Sequence, residues 1–214
     1  MREKRIWMPI MLAVLLAAAP AAFAERQLSP RGKASAQVGG TWHKQNTEER
    51  GYTGGGWIDI DYGRPILRGR TNIFGAGASY GKVVLAGAKV WRAGANQSTQ
   101  LTTEVPLIVN GKRLAPGSYR LFIDLKPGEW TLIVSKQPRQ EKYDANDKTA
   151  IWGAYGYDPK FDVVRVPMDV ETTKHSLEEF TIDFMDVSAD GGSIVFWWGN
   201  SRAFAPFRLA KTGK

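Results

Sequence analysis

Four side chains able to hold an anion, Arg64, Arg70, Arg92 and Asn96, lie in one stretch of this chain, near the aromatic rings of Tyr62 and Trp91. A guanidinium is a planar fork of donors that matches a carboxylate, phosphate or sulfate. Tyr and Trp offer flat faces to a sugar or a cation. Asn96 follows Gly94-Ala95, where a tight backbone can aim its amide into a cleft. These six residues are the candidate ligand site. Each also has an architectural use: arginine can pair with Asp59 or Asp61, asparagine can cap a turn, and Trp91 can fill a core.

Other chemistries find weaker footing. Gly77-Ala78-Ser79-Tyr80-Gly81 spells the G-x-S-x-G of a hydrolase elbow, and aspartates followed by His175 permit the matching triad order. An elbow needs a strand before the serine and a helix after it. Asn72–Ala76 reads as a weak strand, and 82–87 as a short β-branched run rather than a helix. No metal site is expected, because His43 and His175 are the only histidines and stand far apart. Asp144-Ala145-Asn146-Asp147 offers calcium-type oxygens but lacks the glycine and distal glutamate of a calcium loop, so it reads as an Asx-turn. Asp59 and Asp61 share a strand face about 7 Å apart, which admits a glycosidase pair in principle. No catalytic residue and no cofactor is assigned.

The elements that must position these residues are strands. Helical periodicity is nearly absent after residue 24, and 23 glycines and 11 prolines punctuate runs rich in Val, Ile, Thr and aromatics. That pattern predicts an all-β, single-domain antiparallel β-sandwich, jelly-roll-like or Ig-like, over residues 25–214. Residues 57–62 alternate, with Ile58, Ile60 and Tyr62 on one face. Leu101–Val109 alternates as one strand and runs into an Asn110-Gly111 hairpin. Ser118–Leu125 points Tyr119, Leu121, Ile123 and Leu125 inward. The continuous apolar run 130–134 predicts burial on both faces. Later strands are expected at 163–166, 179–186, 193–198 and 207–210, with Asp190-Gly191-Gly192 as a hairpin turn. Gly39–Gly56 reads as a long polar loop and Pro138–Lys148 as irregular.

The amino end reads as an address. Arg2, Lys4 and Arg5 precede the apolar run Ile10–Ala19, and Ala22-Phe23-Ala24 is a small-x-small cleavage site before Glu25. This is the grammar of a secretory signal peptide over residues 1–24, and it predicts a periplasmic or secreted protein. The apolar run is shorter than the ~20 residues that span a bilayer, so no transmembrane segment is expected in the mature chain. The chain has no cysteine, which excludes disulfides and a lipid-modified cleavage-site cysteine. The formal net charge is +8, of which residues 1–24 carry two. Outside the cytosol such a charge meets anionic polysaccharide or lipid headgroups rather than nucleic acid, and its scatter suits a solvated surface.

The motifs Tyr62-Gly63-Arg64-Pro65, Arg68-Gly69-Arg70, Phe74-Gly75, Tyr80-Gly81, Val90-Trp91-Arg92-Ala93-Gly94-Ala95-Asn96, Pro116-Gly117-Ser118-Tyr119, Glu129-Trp130-Thr131 and Trp152-Gly153 occur in this order. Together they resemble the bacterial family catalogued as domain of unknown function 2911, over about residues 28–210. The resemblance implies an exported, β-rich protein and no assigned activity. This chain departs from shorter members by a longer Gly39–Gly56 segment, by residues between Gly81 and Val90, and by the excursion Gln137–Ala150, which can reshape a pocket rim.

The leading reading is therefore an exported, non-catalytic binding or envelope-associated protein, with carbohydrate or another small anionic ligand as partner. The alternatives are an exported ester or glycoside hydrolase, and a structural protein-interaction module.

Overall fold

The structure, a computed structural model, describes residues 27–44 and 50–210. The expected signal peptide and its cleavage site lie outside the described residues. Among the described residues ten strands form two antiparallel sheets that enclose one large apolar core, the all-β sandwich that the punctuation predicts.

The strands are β1 (Arg31–Lys44), β2 (Arg50–Gly63), β3 (Thr99–Thr103), β4 (Leu107–Val109), β5 (Lys112–Leu114), β6 (Gly117–Lys126), β7 (Glu129–Ser135), β8 (Asp162–Pro167), β9 (Asp169–Ser188) and β10 (Gly191–Leu209). One sheet runs β1-β2-β3-β6-β7-β8, the other β5-β4-β10-β9. Ile58, Ile60 and Tyr62 of β2 face the core with Tyr119, Leu121, Ile123 and Leu125 of β6, as their alternation requires. The Asn110-Gly111 turn joins β4 to β5 with φ of 38° and 85°, the two positive values of a type I′ hairpin.

Three expectations are corrected. The described residues of Gly39–Gly56 are strand rather than loop: Arg31–Lys44 and Arg50–Gly63 pair antiparallel over most of their length, with Gly39, Gly54 and Gly55 at φ of 74–75°. Glycine hides such a strand, because it contributes no side chain to the alternation. Leu101–Val109 is two strands: the chain leaves one sheet after Thr103 and enters the other at Leu107, turning at Glu104-Val105-Pro106. The runs expected at 193–198 and 207–210 belong, up to Leu209, to one strand, β10. The polar residues between them lie near register shifts around Gly199, so an irregularity absorbs what a loop was expected to hold.

A second, smaller core sits on the outer face of the six-stranded sheet. Phe122 and Ile133 point outward there and are buried beneath Val90, Ile151, Ala154 and Tyr157. This explains the two-sided burial of 132–134. The excursion that covers this core extends over 136–161 and includes the irregular stretch expected at Pro138–Lys148, which Gln140 pins. Its amide nitrogen lies 3.0–3.2 Å from the carbonyl oxygens of Asp144, Asp147 and Ala150, and its amide oxygen accepts from the Asp144 N–H. The Asp144 and Asp147 carboxylates accept from backbone N–H groups two residues on, as Asx-turns do. Gln140→Ala strips partners from several backbone groups. It is expected to cost about 1–3 kcal/mol and to open 141–150 to limited proteolysis, read as a new cleavage product by mass spectrometry.

Candidate functional site

The connection 64–98 between β2 and β3 does most to build the site. Long connections of this kind over a rigid scaffold commonly carry function. Pro65–Leu67 runs beside β9: Phe180 N–H donates to Pro65 and Leu67 N–H to Glu178. The chain then turns through a 3-10 turn, Gly77–Ser79, into one helical turn, α1 (Lys82–Leu85). It returns to the sheet at Trp91, whose N–H and C=O both bond to Ile123 at 2.8 Å. Among the described residues, five of the seven non-glycine residues with positive φ lie in this connection: Arg68, Asn72, Ala86, Ala93 and Asn96. A left-handed non-glycine residue costs about 1–2 kcal/mol, and at Ala86 and Ala93 no polar side chain offsets it. Strain of this kind gathers where a surface must hold one shape.

Two adjoining clefts open beside this connection. The smaller, about 240 Å³, is lined by Arg70, Trp91, Arg92 and Asn96, with Ile73, Val84 and Trp198 among its walls. Four of the six sequence-predicted residues thus meet at one opening. The larger cleft, about 580 Å³, takes Tyr62 and Asn96 into its lining. Arg64 lines neither; its guanidinium pairs with Glu179 at 2.7 Å across the join to β9.

Trp91 is 1% exposed and packs among Phe74, Phe180, Trp130 and Trp198. Its Nε1–H donates to the Gly94 carbonyl at 3.2 Å, which shapes the turn that presents Asn96. Tyr62 is also buried; its hydroxyl donates to Ile182 O at 3.3 Å, and burial pushes the phenol above its ordinary range. Both rings are walls with little face to offer.

The two arginines differ from these. Arg70 donates from Nε and Nη2 to the Leu67 and Ile66 carbonyls, with its guanidinium carbon 5.7 Å from the centre of the Trp198 ring. Arg92 donates from Nη1 to the Asn96 carbonyl at 3.0 Å and stacks 5.4 Å from the Tyr155 ring centre. A methyl group at Gly153 would lie 2.6 Å from Arg92 Nη1, so glycine there leaves room for the guanidinium. Asn96, at φ 62°, donates from its amide to the Ser29 carbonyl at 3.3 Å.

None of the ion pairs among the described residues includes Arg70 or Arg92. Among the described residues no carboxylate lines the smaller cleft. The contrast is with Arg139, which grips Glu141 with two nitrogens at 3.1 and 3.2 Å. Its neighbour Arg120 is pushed down to about 10 by burial, with Arg139 adding repulsion and Glu141 opposing it.

The hydrolase features do not assemble. Ser79 Oγ donates to the Ala76 carbonyl at 2.8 Å inside the 3-10 turn, and the weak strand expected at Asn72–Ala76 does not form. The run 82–87 does hold one helical turn, against expectation, but a four-residue helix is not the scaffold of an elbow. Asp59 accepts from Ser35 Oγ at 2.5 Å and pairs with Lys33 at 3.2 Å. These contacts hold its carboxyl below the usual range, the opposite of a general acid. Among the described residues no group of three or more His, Cys, Asp or Glu is placed to hold a metal ion.

Sequence reasoning missed the far walls of the larger cleft: Gln27–Ser29 and Arg31 at the amino end, Gln97 and Ser98, and Glu141, Lys142 and Trp152 of the excursion. Trp152-Gly153 was the one local signal for that wall.

The family model described as Protein of unknown function (DUF2911) matches residues 44–207. The comparisons with curated proteins and with solved structures find no match.

Proposed function

We infer the role of this chain, which belongs to the DUF2911 family of proteins of unknown function, from its site: it is an exported, non-catalytic binding protein that takes a small anionic ligand into the cleft of Arg70, Arg92 and Asn96. The observation that carries this reading is the pair of arginines without a carboxylate at one opening. Arg92 keeps Nε and Nη2 without a protein partner among the described residues, and neither is a buried atom. That edge of a guanidinium is the one that grips a carboxylate side-on. The apolar walls lower the local dielectric and strengthen the attraction.

Small anions test it. Phosphate, sulfate or glucuronate added to the full mature chain is expected to raise its melting temperature. Arg92→Ala and Arg70→Ala are each expected to lose about tenfold or more in affinity, since a hydrogen bond to a charged group contributes roughly 1.5–3 kcal/mol. For Asn96 the informative change is Asn96→Gly, which removes the amide and keeps the left-handed backbone at little cost. Unchanged anion affinity in both arginine variants would sink the proposal. A second reading, an interaction module, is favoured by one feature: Trp42 is 66% exposed beside Tyr52, ring centres 5.0 Å apart, near the far end of the β1–β2 hairpin. Trp42→Ser is expected to leave anion binding intact and to abolish only contacts made through that end.

A further inference from the structure

We propose that the two clefts are halves of one site for an acidic saccharide, with the sugar's carboxylate in the smaller and an uncharged, hydroxyl-rich neighbouring ring in the larger. This rests on the anion reading of the smaller cleft. The clefts share Ser29, Ala95 and Asn96 in their linings, so they adjoin along one ridge. The Asn96–Ser29 hydrogen bond, 3.3 Å long, crosses that ridge.

Charge divides between the halves. The smaller holds two guanidiniums and no carboxylate. The larger balances Arg31 and Lys142 against Asp61 and Glu141. A ligand charged along its whole length would meet those carboxylates, whereas one with a single charged end fits both environments. A balanced set of amide, carboxylate and ammonium groups is also the donor–acceptor mixture that hydroxyl groups, which both give and accept hydrogen bonds, can satisfy.

The larger half is held in shape. Arg31 Nη1 donates to Gln97 Oε1 at 2.8 Å, and Gln97 Nε2 donates to the Glu141 carbonyl at 2.5 Å. Gln97 is therefore fixed from both sides, linking the amino end to the excursion. Trp152 stands in the same lining, half-buried, with Tyr143 edge-on at 5.8 Å. A ring braced in this way is a platform for the apolar face of a sugar. Size agrees as well. The smaller cleft alone falls below the roughly 300–1,000 Å³ of small-molecule pockets, and the two together fall inside it.

Isothermal titration of the mature chain with three probes tests the proposal: glucuronate, a disaccharide of glucuronic acid and glucose, and a neutral glucose disaccharide. The acidic disaccharide is expected to bind at least tenfold tighter than either of the others. Trp152→Ala is expected to bring its affinity down to that of glucuronate. Asp61→Asn, an isosteric change on an outward strand face, is the second variant, should Trp152→Ala loosen the excursion; it is expected to weaken the disaccharide at least threefold more than glucuronate. Equal affinity of glucuronate and the acidic disaccharide, or equal losses for both in Asp61→Asn, overturns the two-part site and leaves the anion reading standing. Failure of glucuronate, phosphate and sulfate alike to bind overturns both.

Discussion

Trp91→Ala is expected to destabilise this protein more than any other change in the lining of the smaller cleft. The indole is 1% exposed and touches aromatic partners from β7, β9, β10 and the connection 64–98. Truncating a buried tryptophan costs about 3–5 kcal/mol, through lost transfer energy and the cavity left behind. In a domain of this size that lowers the melting temperature by roughly 10 °C, which a thermal melt followed by circular dichroism reads directly. The Gly94 carbonyl also loses its indole donor, so the turn carrying Asn96 loosens. Anion affinity should therefore fall along with stability. Trp91→Phe keeps most of the packing but not that hydrogen bond; it separates the effects by holding most of the stability while weakening the anion. A melting temperature unchanged in Trp91→Ala would mean that the ring does not sit in the core.

Gly63→Ala is the second large effect. Gly63 ends β2, and the loop carrying Ala95 lies directly on it: a methyl group at Gly63 would overlap the Ala95 carbonyl, while Ala95 N–H donates to Gly63 O at 3.2 Å. The neighbour is backbone, so relief requires the 93–97 loop to lift away. Overpacking of this kind costs about 1–3 kcal/mol, occasionally more. The displaced loop carries Asn96 and the carbonyl that holds Arg92, so anion binding should fall by more than the stability loss alone would suggest. Gly69→Ala is the control. Gly69 belongs to the same connection and has φ 79°, but nothing lies within 4 Å of a methyl group there. It is expected to cost about 1 kcal/mol of backbone strain and to leave the cleft intact. Equal anion affinity in Gly63→Ala and Gly69→Ala would refute the close-packing argument.

Much of the sandwich was legible because alternation is a local signal. Tyr119, Leu121, Ile123 and Leu125 point inward since side chains two apart share a face. Local signals fail where the chain changes sheet. The alternation runs on unbroken from Thr103 to Leu107, and only Pro106, which has no N–H to give to a ladder, marks the place where β3 and β4 part for different partners. Glycine fails for the opposite reason: the outer half of the β1–β2 hairpin is a strand whose residues give no pattern to read. The candidate site was half legible. Arg70, Trp91, Arg92 and Asn96 converge because one connection carries them all. Arg64 belongs to the same motif but is taken up by Glu179 of β9, a partner more than a hundred residues away. Trp152 and Glu141 reach the larger cleft only through the fold of the excursion, so no spacing along the chain links them to Asn96.

The place of β10 has a consequence for how the chain acquires its structure. It is the last strand among the described residues, yet it lies inside its sheet, between β4 and β9, and Phe207 near its end pairs with Val109. Phe196, Trp198 and Phe207 fill the centre of the core from this one strand. Contacts so distant in sequence slow folding, because the intervening chain must be ordered before they form. The sandwich therefore cannot close until Gly191–Leu209 is in place, and earlier segments have no finished core to collapse around. A chain cut short before β10 would therefore lose the middle of its smaller sheet and the centre of its core together.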